Sequence, residues 1–378
     1  MSGSVKSSFQ KKGKAKVVSI PGTRPSIHNA QLLLSVGVPS LDYLLGGGIP
    51  VGSLIIIKED KYDVYSKLFL KYFLAEGVMN KHMLTVASLD SSPELITGEL
   101  PAATNADPEN NISVTEEQMT IAWRYQQMKT QTSSPNSSNN CFGHNYDLTK
   151  IMDSSCLSGV DIHYWNGISD DTQGKGVLEN KNYWSLYQDI KMRIQQSDLS
   201  TSSNKAKTNV MRIGLHSLGS PLWGWEFGCS EKKQQWKSLT TFLYILRALV
   251  RSSYSVCMIT VPSHIFSDPA LMLRLQNLSD FVVGLESFQG SEKETNPIFK
   301  DYHGLFHVAK LSAINSLVPP ILDTVDWVFK LKRRKLVIER LHLPPELSET
   351  ANRNQEDPVK ATGQSMCSGG KLPKNLDF

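Results

Sequence analysis

Short apolar runs alternate with segments of helical periodicity through most of the chain, and together they predict an α/β domain. Residues 54–57 (LIII) are wholly apolar and follow a glycine, as expected of a buried strand. In residues 63–76 apolar side chains recur at helical spacing, with Asp63 placed to cap the first turn and Gly77 to end the helix. Such strand–helix–strand units favour a mostly parallel sheet flanked by helices. Further strands are predicted at 82–88, 211–218, 255–261 and 281–285, and further helices at 238–251 and 268–277.

The C-terminal part of the pattern predicts antiparallel strands at the edge of the sheet. Residues 305–311 and 335–343 have the composition of late strands. If residues 328–331 pair with 336–343, they form an antiparallel hairpin. Its tip would then consist of four adjacent cations, which cannot be buried and can reach a phosphate.

The polar segments predict the domain organisation. Residues 1–19 are polar and lysine-rich without periodicity, which predicts a disordered basic tail. Residues 91–207 are less regular and include the linker-like sequence TQTSSPNSSNN, so we interpret them as a long insertion. We predict one domain over residues 20–347 and a polar C-terminal tail over 348–378.

Basic residues are concentrated in two short segments, although the chain of 378 residues has a formal net charge of only +4. Residues 1–24 contain six basic residues and no acidic one, and residues 327–343 contain six basic residues and Glu339. The rest holds 28 basic and 35 acidic residues. Two basic patches on a mildly acidic body indicate a phosphate-bearing partner, because each cation on a phosphate releases a counterion. A merely solvated tail and hairpin remain the alternative.

Composition excludes several broad classes of protein. Hydrophobic residues make up 40% of the chain, which is enough to bury a core and excludes a wholly disordered protein. No apolar run approaches the ~18–20 residues of a membrane-spanning helix, and no secretory signal is evident, so we expect no membrane partner. The five cysteines form no CxxC pair. We therefore expect free thiols in a reducing compartment and no metal site.

A glycine-rich segment, SVGVPSLDYLLGGGIPVGS at residues 35–53, precedes the first apolar strand. Glycine permits positive φ and close backbone approach, which suits a tight turn before a strand. The segment resembles the one that leads into the first core strand of RecA-, RadA- and KaiC-type ATPase domains, and this resemblance implies a RecA-like fold. The matching residues are Gly37, Leu41, Asp42, Leu44, Gly46, Gly47, Gly48, Ile49 and Gly52.

The phosphate loop that such a fold requires is degenerate here. Its pattern G-x-x-x-x-G-K-[ST] surrounds phosphates with backbone N–H groups, neutralises them with the lysine and binds Mg²⁺ through the hydroxyl. In residues 59–66 (EDKYDVYS), Glu59 and Val64 replace the two glycines. Tyr65 replaces the lysine, and only Ser66 keeps its type. The acidic residues repel phosphate, so we expect a poor nucleotide site and no cofactor.

The magnesium-binding position and the catalytic-acid position of such a fold also differ from the pattern. The strand RIGLHSL places His216 where the magnesium-binding aspartate belongs, and histidine is not a preferred Mg²⁺ ligand. The sequence VASLDSSPEL resembles the segment that carries the catalytic glutamate, with Asp90 nearest to that role. A base without a phosphate loop or a metal site has nothing to act on.

The whole chain resembles the PAXNEB family, whose members are subunit 4 of the Elongator complex. Members have a RecA-like fold without working nucleotide motifs. The resemblance extends from residue 20 almost to the C-terminus. Matching segments include SIPGTRPSIHNAQLL, EDKYDVYSKLFLKYFLAEGV, IAWRYQ, FGHNYD, RIGLHSLGSPLWG, LSDFVVGLESFQGSEKETNPIFKDYHGLFHV and FKLKRRKLVIERLHLPPEL.

The family resemblance implies a function that composition and spacing do not. Elongator subunits 4, 5 and 6 form a hetero-hexameric ring of RecA-like folds that binds tRNA. The ring serves the subunits that modify the wobble uridine at carbon 5, and Elongator has also been linked to transcription elongation by RNA polymerase II. We therefore expect a non-catalytic ring subunit in the cytoplasm and nucleus, with subunits 5 and 6, the rest of the complex and tRNA as partners.

Several residues are candidates for these contacts. Trp223 and Trp225 lie in a loop that faces the neighbouring subunit in this fold, although packing of Trp223 in its own core is an equal alternative. Tyr302 lies in the loop 288–304, which would project toward the pore of a ring and is a candidate for subunit or tRNA contact. The candidates for tRNA contact are Lys330, Lys332, Arg333, Arg334, Lys335 and Arg340 near the hairpin, and Lys293 and Lys300 in the loop.

Two other functions remain open from sequence. The chain could be an NTPase with a divergent site that uses Ser66 and Asp90, although the missing glycines, lysine and metal acid oppose this. It could also complete a neighbour's ATP site in trans with a basic residue. The arginines considered for that role are Arg247, Arg251 and Arg274.

Overall fold

The computed structural model describes residues 20–26, 31–104, 142–167, 178, 180–203, 206–224, 232–266, 268–318, 320–322 and 324–342. Contacts divide the chain into two units, Met1–Leu341 and His342–Phe378. Every helix and strand of the described residues belongs to the first unit. The predicted tails, the segment 130–140 and the motif IAWRYQ lie outside the described residues, so the predicted domain bounds stay a prediction.

The described residues of the first unit form fourteen strands and seven α-helices. The strands are β1 (Thr23–Pro25), β2 (Leu32–Leu34), β3 (Ile49–Pro50), β4 (Leu54–Lys58), β5 (Met83–Ala87), β6 (Pro101–Thr104), β7 (Asn145–Ile151), β8 (Ile162–Trp165), β9 (Met211–Leu215), β10 (Ser255–Val261), β11 (Phe281–Ser287), β12 (Gly304–Lys310), β13 (Trp327–Leu331) and β14 (Leu336–Arg340). The helices are α1 (Pro39–Leu44), α2 (Tyr65–Met79), α3 (Pro93–Gly98), α4 (Ser154–Ser158), α5 (Lys181–Gln196), α6 (Lys232–Arg251) and α7 (Pro269–Leu278). None of these described helices combines the length and the hydropathy needed to cross a bilayer.

Nine of these strands form one sheet, in the order β14-β13-β12-β11-β4-β10-β9-β5-β8. The strands from β11 to β8 in this order are parallel, whereas β12, β13 and β14 are added antiparallel at one edge. β4 is central, with Ile55 opposite Met258 of β10 on one side and Phe281 of β11 on the other. This confirms the predicted α/β class, a mostly parallel sheet with an antiparallel hairpin at its edge.

Helices cover both faces of the central parallel strands, which explains the continuous apolar run of β4. On one face, Phe73 of α2 packs in a core that includes Ile55. On the opposite face, Phe242 of α6 packs in a second core that includes Ile56. Adjacent residues of β4 enter different cores because successive side chains of a strand point to opposite faces.

The edge hairpin formed by β13 and β14 closes with a four-residue turn. The Lys332 N–H donates to the Lys335 carbonyl at 2.8 Å, and the Lys335 N–H donates back to the Lys332 carbonyl at 3.2 Å. Residues 332–335 therefore lie at the tip, as the strand pattern predicts. The Leu336 N–H donates to the hydroxyl of Tyr72 at 3.3 Å, which ties the hairpin to α2.

Within the glycine-rich segment, Gly46, Gly47 and Gly48 join α1 to β3, a strand of the small sheet formed by β1, β2 and β3. Gly46, Gly47 and Gly48 have φ angles of 84°, 106° and 127°. At Gly48 a Cβ atom would lie 2.6 Å from the backbone oxygen of Leu34 in β2. A side chain there would displace β2, so the predicted tight turn ahead of the first core strand requires glycine.

Part of the segment 91–207 belongs to the core of the domain. β6 and β7 pair as a separate two-stranded sheet, whereas β8 pairs with β5 in the main sheet. On α5, Leu186 and Ile190 are fully buried in the second core. The limits of the predicted insertion stay a prediction. Within it, β8 is a strand of the main sheet, and α5 packs in the core on one face of that sheet.

Candidate functional site

The residues that stand in place of a nucleotide site meet at the carboxyl end of the parallel sheet. Glu59 follows β4, Asp90 is three residues beyond β5, and His216 follows β9. In open α/β sheets this edge is where ligands bind, because the loops of neighbouring strands converge there. The Ser217 hydroxyl lies 3.4 Å from Glu59 Oε2, which joins the loops after β9 and β4.

Asp60 occupies the place at the start of α2 where a phosphate loop holds its anion. Its carboxylate accepts hydrogen bonds from the backbone N–H groups of Val64, Tyr65 and Ser66 at 3.1, 3.1 and 3.0 Å. The residue is only 1% exposed. A helix N-terminus presents unpaired N–H groups and partial positive charge, so it stabilises a carboxylate as it would a phosphate. The chain's own side chain thus satisfies the donors that a nucleotide would need.

Ser66, the one residue of the phosphate-loop pattern that is kept, is part of the same internal network. Its hydroxyl lies 2.9 Å from Asp60 Oδ1 and 2.8 Å from Asp63 Oδ1. It has a single proton, which it donates to one of the two carboxylates. The side chain is fully buried. The hydroxyl that would bind Mg²⁺ in a working site therefore serves two protein acids instead.

Tyr65 and Val64, at the two neighbouring positions of the loop, do not serve to bind a phosphate. Tyr65, in the lysine position, packs its ring against Phe329 of β13 at a centroid separation of 4.7 Å and lies 6.2 Å from the ring of His303. Val64, in the second glycine position, is 53% exposed. The lysine position therefore attaches the start of α2 to the antiparallel edge of the sheet.

His216 closes the loop after β4 onto the sheet. Its Nε2 lies 2.7 Å from Asp63 Oδ2, and its Nδ1 lies 3.1 Å from the hydroxyl of Ser88, the residue after β5. Asp63 is held at a positive φ of 52°. Among the described residues, His, Cys, Asp and Glu form no group of three or more that could hold a metal ion. The imidazole thus has a structural partner on each side.

Glu59 is buried within this group of acids. Burial, followed by the negative charge of Asp63, raises the pKa of the Glu59 carboxyl to about 8, against the hydrogen bonds from Thr260 and Ser217. A carboxyl with this pKa is mostly protonated at neutral pH. Protonation reduces the repulsion among the acids, which allows Glu59 and Asp60 to be buried side by side.

Asp90 lies at the exposed rim of the site. Its Oδ1 accepts a hydrogen bond from the Ser220 hydroxyl at 2.6 Å. This bond joins the loop after β5 to the loop after β9. Asp90 therefore helps to hold the two loops together. The N–H donors that would place a phosphate beside it already bind Asp60.

Two of the basic candidates are held by protein groups. Lys330 forms an ion pair with Glu339, and its Nζ lies 5.4 Å from the ring centre of Tyr302. Lys293 forms an ion pair with Glu286 at 2.6 Å. These contacts leave Lys330 and Lys293 less able to bind a phosphate than an unpaired cation. Tyr302, an interface candidate, is half-buried beneath Lys330.

The other basic candidates are more exposed. Arg334 Nε lies 3.8 Å from Asp147 Oδ2, with the guanidinium side chain 68% exposed. The guanidinium of Arg340 lies 5.5 Å from the ring centre of Trp327. The remaining candidates are exposed side chains for which the described residues supply no ion pair: Lys300, Lys332, Arg333 and Lys335.

Trp223 lies in the protein's own core rather than on a surface. It is 1% exposed, and its ring stacks on Trp165 at 5.4 Å and on Tyr183 at 5.8 Å. Core packing, the alternative that the sequence left open, therefore describes this residue, because a buried ring cannot reach a neighbouring subunit. Trp225 lies outside the described residues.

Comparison with known proteins assigns the chain to a family. A family model described as PAXNEB protein matches residues 16–378. The chain belongs to the PAXNEB family. Elongator complex protein 4 of Danio rerio is 45% identical over 96% of this chain and 94% of its own length. The human protein of the same name is 43% identical over 98% of this chain and 94% of its own length.

The PAXNEB assignment confirms the family resemblance of the sequence. Elongator complex protein 4 of Saccharomyces cerevisiae is more distant, at 22% identity over 89% of this chain and 78% of its own length. Among solved structures, the KaiC-like protein PH0186 of Pyrococcus horikoshii OT3 is similar over 81% of this chain and 98% of that chain. Its sequence identity is 11% and its TM-score 0.43.

This PAXNEB-family chain also contains a buried network that the sequence does not predict. Glu76 of α2 accepts hydrogen bonds from the His144 N–H at 3.1 Å and the Tyr146 hydroxyl at 2.7 Å. Burial opposes ionisation, but the His144 bond, the charge of Arg212 and the Tyr146 bond lower the pKa of Glu76 to about 2. Arg212 is fully buried in β9 and donates to His82 Nδ1 at 3.0 Å. In the sequence, an arginine inside an otherwise apolar strand is the sign of such a network.

The arginines considered for action in trans differ in their surroundings. Arg247 and Arg251 of α6 bind the Asp280 carboxylate at 2.9 and 2.7 Å. Asp280 also accepts a hydrogen bond from the N–H of Leu54 at 2.9 Å. Because Leu54 begins β4, this ion-pair cluster lies at the amino end of the sheet, opposite the degenerate site. Arg274 is exposed on α7.

Proposed function

We propose that this chain is a non-catalytic RecA-like subunit of the Elongator accessory ring, together with subunits 5 and 6. In this role it binds tRNA and supports modification of the wobble uridine at carbon 5, in the cytoplasm and nucleus, with a linked part in transcription elongation by RNA polymerase II. The observation that carries the proposal is the similarity, over nearly the whole chain, to relatives named Elongator complex protein 4.

The degenerate site supports a role without nucleotide hydrolysis. A phosphate at the start of α2 would have to displace the Asp60 carboxylate from three N–H donors, and Asp63 and Asp90 would repel it. Buried charge-assisted hydrogen bonds of this kind are the strong ones in proteins. The chain is therefore proposed to contribute structure and RNA contacts to the ring, while any nucleotide is bound by its neighbours.

The hairpin supports the RNA-binding part of the proposal. Residues 332–335 form a turn at the edge of the sheet with four adjacent cations, all exposed. Contacts of such cations to phosphates give affinity without sequence specificity and a strong dependence on salt. The hairpin turn is accordingly proposed as a phosphate-binding element of the assembled complex.

The test is tRNA binding by the complex assembled from this chain and subunits 5 and 6, measured across salt concentrations. Replacing Lys332, Arg333, Arg334 and Lys335 by glutamine should weaken binding, and it should flatten the plot of log affinity against log salt by roughly 0.7–0.9 for each phosphate that the complex no longer binds. A control complex should behave as wild type, because its four exposed cations lie elsewhere: Lys61, Lys81, Lys181 and Arg274 replaced by glutamine. Equal affinity and slope in both variants would refute the hairpin contact.

A second measurement addresses the alternative that the chain is an NTPase. The isolated chain is expected to bind no ATP and to hydrolyse none, because Asp60 already satisfies the phosphate donors. If ATP releases tRNA from the assembled complex although the isolated chain fails to bind ATP, the nucleotide sites belong to the partners. ATP hydrolysis by the isolated chain would overturn the non-catalytic role.

A further inference from the structure

Helix α1 lies beside the hairpin at the outer edge of the main sheet. The Ser40 hydroxyl oxygen accepts a hydrogen bond at 3.1 Å from the N–H of Ile338 in β14. β14 is the outermost strand on this side of the sheet among the described residues. An edge strand leaves backbone groups without a strand partner, and Ser40 satisfies one of them. This bond fixes α1 next to the basic hairpin.

Tyr43 follows Ser40 by three residues, which places both side chains on the same face of α1. The residue is 77% exposed, whereas Leu41 and Leu44 of the same helix are buried in the core. A large aromatic ring at this exposure adds nothing to the core of the domain. The side chain is therefore accessible to a ligand at this edge of the domain.

Strand β7 contacts the hairpin turn directly. The Leu148 N–H donates to the Arg334 carbonyl at 2.8 Å. Two residues later along β7, Lys150 is exposed, and its charge acts on Asp147 together with that of Arg334. The turn, β7 and α1 therefore bring five cations and one aromatic ring to one edge of the domain.

The acidic residues of this edge are already engaged. Asp147 accepts hydrogen bonds from the N–H and the hydroxyl of Thr149 at 2.9 and 2.6 Å. Glu339 is paired with Lys330. The edge is thus positively charged, and a protein partner would need a complementary acidic surface, whereas RNA offers both phosphates and bases.

The spacing suits a single strand of nucleic acid. Ile338, beside α1, is three residues beyond Lys335, which corresponds to roughly 10 Å along a strand. Stacked nucleotides rise about 3.4 Å each, so this span matches about three of them. Aromatic rings that stack on bases beside cations that follow the backbone are typical of proteins that bind single strands.

We propose that Tyr43, Lys150 and residues 332–335 form a binding surface for single-stranded RNA, in which Tyr43 stacks on an unpaired base. The cations contact phosphates of the same strand about three nucleotides away from that base. This inference rests on the proposed tRNA-binding function and adds that the hairpin edge takes an unpaired part of the RNA rather than a duplex.

The test compares Tyr43→Ala and Tyr43→Phe in the complex assembled with subunits 5 and 6. The probes are tRNA, a single-stranded RNA of about 12 nucleotides and a duplex of the same length. Tyr43→Ala should weaken single-strand binding about 10-fold, with no change in duplex binding or salt slope, because stacking involves no counterion. Tyr43→Phe should bind as wild type, since it keeps the ring. Lys150→Gln should instead reduce the salt slope by about one.

The outcomes separate this inference from the function on which it rests. If the wild-type complex binds no tRNA, the proposed function fails. If it binds tRNA but Tyr43→Ala binds the single strand as wild type does, only the stacking surface is refuted. If Tyr43→Ala reduces the amount of complex that assembles, but the complex that does form binds RNA as wild type does, Tyr43 is a subunit contact and the inference is wrong.

Discussion

At the scale of single residues, one carboxylate controls the chemistry of the degenerate site. Asp60 accepts three backbone hydrogen bonds at the start of α2 and is buried. The absence of the glycines and the lysine removes groups that would bind a phosphate, but Asp60 does more because it fills the vacated place. Once the donors are satisfied internally, a nucleotide gains little by approaching them and would meet the repulsion of the surrounding acids.

The first prediction concerns the stability that Asp60 provides. Asp60→Ala should lower the free energy of unfolding by about 2–4 kcal/mol, because three N–H donors at the start of α2 and the buried Ser66 hydroxyl lose a charged acceptor. Asp60→Asn should cost about half as much, since Oδ1 remains an acceptor while the new amide faces the Val64 N–H. The measurement is urea unfolding of the isolated chain. Lys61→Ala, at an exposed neighbouring residue, should stay within about 0.5 kcal/mol of wild type, and an Asp60→Ala loss no larger than this would contradict the assigned role.

At the scale of elements, a stack of aromatic rings attaches the loop after β9 to the second core. Trp223 lies between Trp165, at the end of β8, and Tyr183, in the first turn of α5. Tyr183 in turn stacks on Phe242 of α6 at 5.1 Å. The stack therefore connects one strand, two helices and the loop that carries Ser217 and Ser220.

The second prediction follows from this stack. Trp223→Ala should lower the free energy of unfolding by about 3–5 kcal/mol, because it leaves a cavity among stacked rings. Trp223→Phe should lose less. Leu222→Ala is the matched control, since the neighbouring Leu222 is 61% exposed and should matter little. Unfolding is measured by urea, and assembly with subunits 5 and 6 by size-exclusion chromatography. A Trp223→Ala chain with wild-type stability that fails to assemble would return Trp223 to the interface.

Some helices and strands can be predicted from the sequence pattern, and others cannot. Wholly apolar runs such as 54–57 predict the central strands, because parallel strands covered on both faces tolerate few polar residues. The short strand β8 (IHYW) has no such run, and only Trp165 of its four residues is buried. α5 does show helical spacing at Tyr183, Leu186 and Ile190, a signal that is easily overlooked within a polar region. The burial of Trp223 depends on contacts between distant segments, which one-dimensional patterns cannot supply.

At the scale of the whole molecule, the sequence predicts where charged residues are concentrated better than it predicts which buried acids are ionised. The acidic loop after β4 and the basic hairpin are both evident from composition. What composition cannot give is the ionisation state of each acid. Glu59 and Glu76 are both buried glutamates, yet the pKa of Glu59 is raised to about 8 and that of Glu76 is lowered to about 2. The difference arises because Glu76 meets Arg212, His144 and Tyr146, whereas Glu59 meets other acids.

Glu59 makes the stability of the whole molecule depend on pH. In the unfolded chain its carboxyl ionises near 4.5, whereas in the folded chain burial keeps its pKa at about 8. Between these values the folded state binds more protons than the unfolded state, so the free energy of unfolding falls as pH rises. The contribution is complete below pH 4.5 and lost above pH 8. At about 1.4 kcal/mol per pKa unit, the total is on the order of 3–5 kcal/mol.

The third prediction is that Glu59→Gln removes this pH dependence, because the amide is neutral at every pH and keeps the size of the side chain. Urea unfolding is measured at several pH values from 5 to 8 for wild type and variant, and the difference in stability should shift in favour of the variant as pH rises. Glu292→Gln, an exposed glutamate, should instead show a constant difference. Since all other titrating groups are common to the chains compared, a Glu59→Gln difference that does not change with pH would mean that Glu59 is ionised in the folded protein. In that case Glu59 would add a full charge beside Asp60, and the site would repel phosphate more strongly than a neutral carboxyl allows.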